Sequence, residues 1–267
     1  RREAHRQEKA FMARQKKLLR IGFILTAITM VLCAATLLIT GGILRSQLPD
    51  ETISLEGTTT PPTTVPPPPD TVIHFVAGGD VNVTDAIVAS GGAAYDYTET
   101  FLDVAHLLAE GDITVVNLEG NLCGAPYGSS ASAPPSLAQA LRRGGVDMIQ
   151  LANSYAIHQG LSGLKTTIQN VRDSGMEPLG AYESNEERAR SGGYVLCETQ
   201  GVKIAFVAFT KGMDGMALPE GSENCVNVLY SDYSSTYQKI DEARITKVLD
   251  AVKEEKPDIT IALLHWG

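Results

Sequence analysis

The sequence predicts an α/β fold built on a largely parallel central sheet. Three observations carry that prediction. From Thr71 onward, short apolar runs alternate with segments whose apolar residues recur at helical spacing. Several of those runs end in small or polar clusters, as strands of such sheets do where loops take over. The one hairpin signal, around Gly201, is a local exception to the alternation.

The elements follow in order. Val72 to Ala77 reads as a strand and Gly78-Gly79-Asp80 as the turn after it. Thr100 to Ala109 places Phe101, Val104, Ala105 and Leu108 at helical spacing. Ile113 to Leu118 is a buried strand, Ser136 to Arg143 a helix, and Val146 to Ala152 another strand. Leu161 to Ser174 is a helix with Leu161, Leu164, Ile168 and Val171 on one face, and Gly175 supplies its stop. Ser184 to Glu187 matches a capping box at the start of a short helix. Tyr194–Cys197 and Lys203–Phe209 flank Gly201 as a hairpin. Ser235 to Glu255 reads as a helix and Ile259 to Leu264 as the last strand. There is no internal repeat.

The first 70 residues differ in kind. Residues 1–20 carry eight Lys or Arg against Glu3 and Glu8. Ile21 to Leu44 follows, 24 residues without a charge. At ~1.5 Å per residue this run reaches roughly 36 Å, enough to cross a ~30 Å hydrocarbon core. It is longer than the apolar region of a cleaved signal peptide, and Thr40-Gly41-Gly42 is a poor cleavage site. Cys33 follows Met30, Val31 and Leu32, which is not the context of a lipid-attachment cysteine. The expectation is a single-pass anchor at 21–44, with residues 1–20 cytoplasmic and the remainder outside the cell. Residues 45–70 include Thr-Thr-Thr-Pro-Pro-Thr-Thr-Val-Pro-Pro-Pro-Pro, which forms neither ladder nor helix and reads as an extended extracellular stalk. The main domain spans 71–267 on this reading. The chain starts without Met and stops just after an apolar run, so we expect it to continue beyond Gly267.

Charge narrows the partners. The whole chain carries −9, but residues 46–267 hold 29 acidic against 13 basic residues. That excludes a nucleic-acid partner, which needs a basic face. Four cysteines exclude a disulfide-built scaffold. Cys123, Cys197 and Cys225 lie in the exported part and allow at most one disulfide. Lys211 to Met216 reads as a loop over the strand tips, either an ordinary surface loop or a lid.

Four clusters at strand ends can carry chemistry: Gly79-Asp80 with Asn82 and Asp85 behind it, Asn117-Leu118-Glu119, Asn153-Ser154-Tyr155 with His158, and His265-Trp266-Gly267. Carboxylate, amide and imidazole groups on successive strand tips can converge on one metal or phosphate site.

At these residues the sequence resembles the CapA family of bacterial capsule-synthesis proteins, the poly-γ-glutamate capsule domain. The resemblance rests on Gly79-Asp80, Val116-Asn117-Leu118-Glu119, Ala133-Pro134, Gly145-Val146-Asp147, Leu151 to Leu164, Gly201 to Ile204 and His265-Trp266-Gly267, in order. It implies a metallophosphoesterase-like layered sandwich. It implies Asp80, Glu119, Asn153 and His265 as ligands of a divalent metal ion, with His158 and His265 as catalytic candidates. It departs where the family has Asn-Asn-His and this chain has Asn153-Ser154-Tyr155, and where the family has Asp and this chain has His158. A tyrosine hydroxyl with a pKa near ~10 neither ligates nor donates a proton as imidazole does. The expectation is therefore an altered centre with weak or absent phosphoesterase activity.

The functional expectation is a membrane-anchored extracellular protein in the biosynthesis, export or anchoring of a surface polymer, working with capsule-synthesis machinery. The alternatives are an exported metal-dependent phosphoesterase or hydrolase, and a catalytically degenerate domain that binds cell-wall material. The acidic balance argues against direct contact with a polyanion such as polyglutamate unless cations intervene.

Overall fold

A computed structural model describes residues 70–129 and 131–266 of the chain. The tail, the apolar run 21–44 and nearly all of the stalk lie outside these residues. Among the described residues no helix is long and apolar enough to cross a membrane.

Seven strands sort into two sheets. The first holds β1 (Phe75–Asn82), β2 (Ile113–Glu119), β3 (Met148–Gln150) and β4 (Glu177–Leu179), in that order and all parallel. Parallel neighbours need crossovers. Helices α1 (Asp85–Ser90) and α2 (Leu102–Leu108) connect β1 to β2, α3 (Ser136–Arg143) connects β2 to β3, and α4 (Gly160–Asp173) connects β3 to β4. The second sheet has β5 (Val195–Thr199), β6 (Val202–Thr210) and β7 (Ile259–His265), with α5 (Asn185–Ser191) before it and α6 (Glu242–Glu254) between its last two strands. The predicted α/β fold with a parallel sheet is present, but its strands are shared between two sheets. The expected hairpin is β5–β6, antiparallel, turning on Gln200 and Gly201, both at positive φ as a two-residue turn requires.

Strand β6 explains the layering. Its side chains alternate between two faces. Ile204, Phe206 and Ala208 join the main core with Leu118, Ile149, Leu164 and Ile168. Ala205, Val207 and Phe209 form a second core with Val248 and Val252 of α6. The second sheet thus packs against the first on one side and under α6 on the other. Phe75 of β1 and Phe206 of β6 meet with ring centroids 5.8 Å apart.

Three expectations need correction. Gly78-Gly79-Asp80 is not a turn: β1 runs through it, with a register shift against β2 between Ala77 and Asp80. Gly79, at φ 75°, absorbs the irregularity, and pairing resumes with Asp80 opposite Asn117. The helix expected over Ser235–Glu255 begins only at Glu242, because Asp232 draws the Gln238 and Lys239 amides and the Thr236 hydroxyl into a turn. Those hydrogen bonds, Thr236 foremost, hold the Asp232 carboxyl down to about 2. Strand β4 was not foreseen.

The segment Lys211–Met216 is docked rather than free-standing. Met213 is buried, and the Lys211 amide donates to the His265 carbonyl at 2.9 Å. Cys123, Cys197 and Cys225 carry free thiols, and no disulfide joins them.

Candidate metal centre

The C-terminal ends of β1, β2 and β7 bring Asp80, Glu119 and His265 together. One ligand atom from each lies within 4.8 Å of the others. Strand geometry accounts for the two carboxylates. Asp80 and Asn82 are two apart on β1, and Asn117 and Glu119 are two apart on β2, so all four point to one face. The register pairs Asp80 with Asn117 and Asn82 with Glu119. His265 comes from the second sheet, at the tip of β7 beside Thr210 of β6. A cavity of about 220 Å³ between the sheets opens onto Asp80, Asn117 and His265.

Asn117 is the hub of the centre and is itself buried. Its Nδ2 donates to Asp80 Oδ1 at 2.8 Å and faces His265 Nδ1 at 3.3 Å. An amide nitrogen can only donate, so Nδ1 is the acceptor in that contact, and the ring's other nitrogen is Nε2. There Glu119 Oε1 lies at 3.1 Å and Ser154 Oγ at 3.0 Å. Asn153 supports the hub from behind. Its Nδ2 donates to Asn117 Oδ1 at 3.0 Å and to the Leu118 carbonyl at 2.7 Å, while its Oδ1 accepts from the Tyr155 amide at 2.9 Å.

The expected residues therefore separate. Asp80, Glu119 and His265 converge, and Asn153 sits directly behind them with its amide engaged by protein groups. His158 does not join the cluster. Its ring lies 5.4 Å from that of Tyr155, and its Nδ1 is buried without a hydrogen-bond partner. Asn117 and Ser154 were present in the sequence clusters but not singled out.

Burial lifts the Glu119 carboxyl above its ordinary value; His265 opposes the rise and the like charge of Asp80 adds to it. Two carboxylates and an imidazole suit a divalent cation of hard to borderline character, which would relieve that repulsion. The donor chemistry fits such an ion. Bound there, a divalent cation would supply Lewis acidity at the mouth of the cavity. The chain's own residues orient the donors: Asn153 fixes Asn117, and Asn117 fixes Asp80 and the His265 ring.

Residues 74–267 match the family described as bacterial capsule synthesis protein PGA_cap. The chain belongs to that family. No curated protein matches it. Among solved structures, the chain is similar to a candidate 5'-nucleotidase from Staphylococcus aureus in complex with alpha-ketoglutarate, at 16% identity and TM-score 0.44, covering 73% of this chain and 37% of that one. It is also similar to the NAD nucleotidase of Haemophilus influenzae, at 12% identity and TM-score 0.40, covering 63% of this chain and 31% of that one. The chain thus spans about a third of the length of either.

Proposed function

We propose that this protein acts at the bacterial cell surface, held by the apolar run 21–44, in the assembly, export or anchoring of a capsule-type polymer, and that Asp80, Glu119 and His265 hold a divalent cation for that role. The observation that carries the reading is the convergence of these three side chains on strand tips of two different sheets, inside the segment that matches the capsule-synthesis family. The strongly acidic balance beyond residue 45 fits this reading if cations mediate contact with an anionic polymer.

The test is metal analysis and cation titration of the full chain, with Asp80→Ala as the control. One tightly held divalent cation in the wild type, lost in a variant that melts like cation-free wild type, supports the proposal. Metal binding that survives Asp80→Ala, or none at all, overturns the assignment of the centre. A phosphoester assay on the same samples separates the second reading, an exported hydrolase. With Tyr155 and Ser154 in place of an Asn-His pair, we expect weak or no turnover. Brisk turnover abolished by Asp80→Ala would establish the hydrolase instead.

A further inference from the structure

Away from the candidate metal centre, a second polar cavity lies between α5 and α6. Its volume is about 270 Å³, and Arg188, Arg244, Lys247, Asn185 and Asn224 line it. None of the candidate metal ligands contributes to it.

The unusual member is Arg188. It is only 9% exposed, and none of the ion pairs among the described residues includes it. Its Nε donates to Asn227 Oδ1 at 2.8 Å, and its guanidinium lies over the Tyr182 ring at 5.5 Å. Those contacts hold the group from one side, its terminal nitrogens pack over Gly193, and the side chain contributes to the cavity wall. A buried guanidinium without a counter-ion is costly, because its desolvation is not repaid by an opposite charge. Here the discomfort is visible: burial holds the Arg188 pKa below its ordinary value, Tyr182 opposes that, and the neighbouring Arg244 adds to it. Tyr182 is itself buried, its hydroxyl pushed up to about 12, so it remains a neutral ring and supplies no anion.

The other charges facing the cavity do not neutralise it. Arg244 is paired with Asp241 at 3.3 Å and donates to the Glu223 carbonyl at 3.1 Å. The Glu223 carboxylate is turned to the Asn185 amide and the Gly221 N–H. Lys247 is exposed on the same side of α6 as Arg244. Three cations against two carboxylates, Asp241 paired with Arg244 and Glu223 held by Asn185 and Gly221, leave a net positive balance of one, in a domain whose overall charge is strongly negative. A local reversal of that kind concentrates anions.

We propose that this cavity binds a phosphate dianion, either free or as the phosphoryl end of a small molecule. A planar guanidinium fork matches the edge of a tetrahedral oxyanion bidentately, and the further cations favour a dianion over a single carboxylate. The site is independent of the metal centre and stands whether or not that centre holds a cation.

The test is titration of the full chain in detergent at low salt with inorganic phosphate, with phenyl phosphate and with glutarate, read by calorimetry and by the Arg188 Nε–H signal in arginine-labelled protein. Saturable one-to-one phosphate binding that shifts that signal is expected. Lys247→Glu, a change at an exposed position, weakens it roughly tenfold or more. Asp80→Ala leaves it unchanged. Phenyl phosphate binding as well as phosphate marks a phosphoryl group on a larger molecule as an acceptable ligand; phosphate alone marks the free ion. The proposal fails if no saturable binding occurs, if Lys247→Glu binds like wild type, if glutarate binds as tightly as phosphate, or if Asp80→Ala abolishes binding.

Discussion

Glu119 carries the pH dependence of the candidate centre. Its carboxyl is lifted above the ordinary 4.5, chiefly by burial. The folded protein therefore holds that proton more tightly than the unfolded chain does. The resulting contribution to stability is fully present below the unfolded value and is lost as pH rises through the folded one. In cation-free protein, Glu119→Gln should raise the melting temperature near pH 7 and lose that advantage by about pH 4, where both side chains are neutral. In the wild type, cation binding should weaken on acidification from a higher pH than an ordinary glutamate would set, because protons compete for the same oxygen. Melting curves and cation titrations across that range check both outcomes. At this scale the sequence was informative about identity and less so about role. Asp80, Glu119 and His265 were readable because each follows an apolar run. Asn117 was equally readable in principle, since it lies two residues before Glu119 on a strand and so shares its face. Its importance comes from His265 on the far sheet, and no local pattern reports that contact. Asn153 was read as a ligand; what the structure adds is that its amide donates to Asn117.

At the scale of elements, the irregularity in β1 sets where Asp80 points. Gly79 sits at φ 75° with nothing within 4 Å of an added Cβ, so Gly79→Ala carries a backbone penalty without a steric one. We expect a loss of roughly 1–2 kcal/mol by denaturant titration, together with weaker cation binding if the strand relaxes and turns Asp80 away. Two adjacent glycines read as a turn because local propensity favours one; renewed pairing with β2 overrides it. Strand β4 escaped notice for a related reason. Pro178 argues against a strand, but β4 is the edge of its sheet, where a residue without an N–H is tolerated. The long helix expected from Ser235 failed at its start, where Asp232 and then Asp241 compete for backbone amides that a continuous helix would need. Helices α3 and α4, whose apolar faces are unbroken, were legible almost to the residue.

For the whole molecule, the alternation of strands and helices disclosed the fold class but not the division into two sheets, because both kinds of strand are apolar and short. Gly180 shows how closely the sheets approach. At φ 78°, a Cβ there would meet the Ala152 Cβ at 2.6 Å and the Ala208 backbone oxygen at 2.8 Å. Gly180→Ala combines backbone strain with overpacking against atoms that cannot move aside. It should cost roughly 2–5 kcal/mol, visible as a large drop in melting temperature.

The same approach gives the candidate centre a mechanical meaning. Its carboxylates ride on one sheet and its imidazole on the other, so an ion seated among them would act as a clasp across the seam. Joining segments so far apart in the chain restrains the opening of the seam. Backbone amides of β7 should then exchange with deuterium more slowly in cation-loaded protein than in cation-free protein, and Asp80→Ala should erase the difference. Such a clasp would make the grip between the two halves of the domain answer to the divalent cations around it, letting the protein tighten or loosen with the ionic composition of its surroundings.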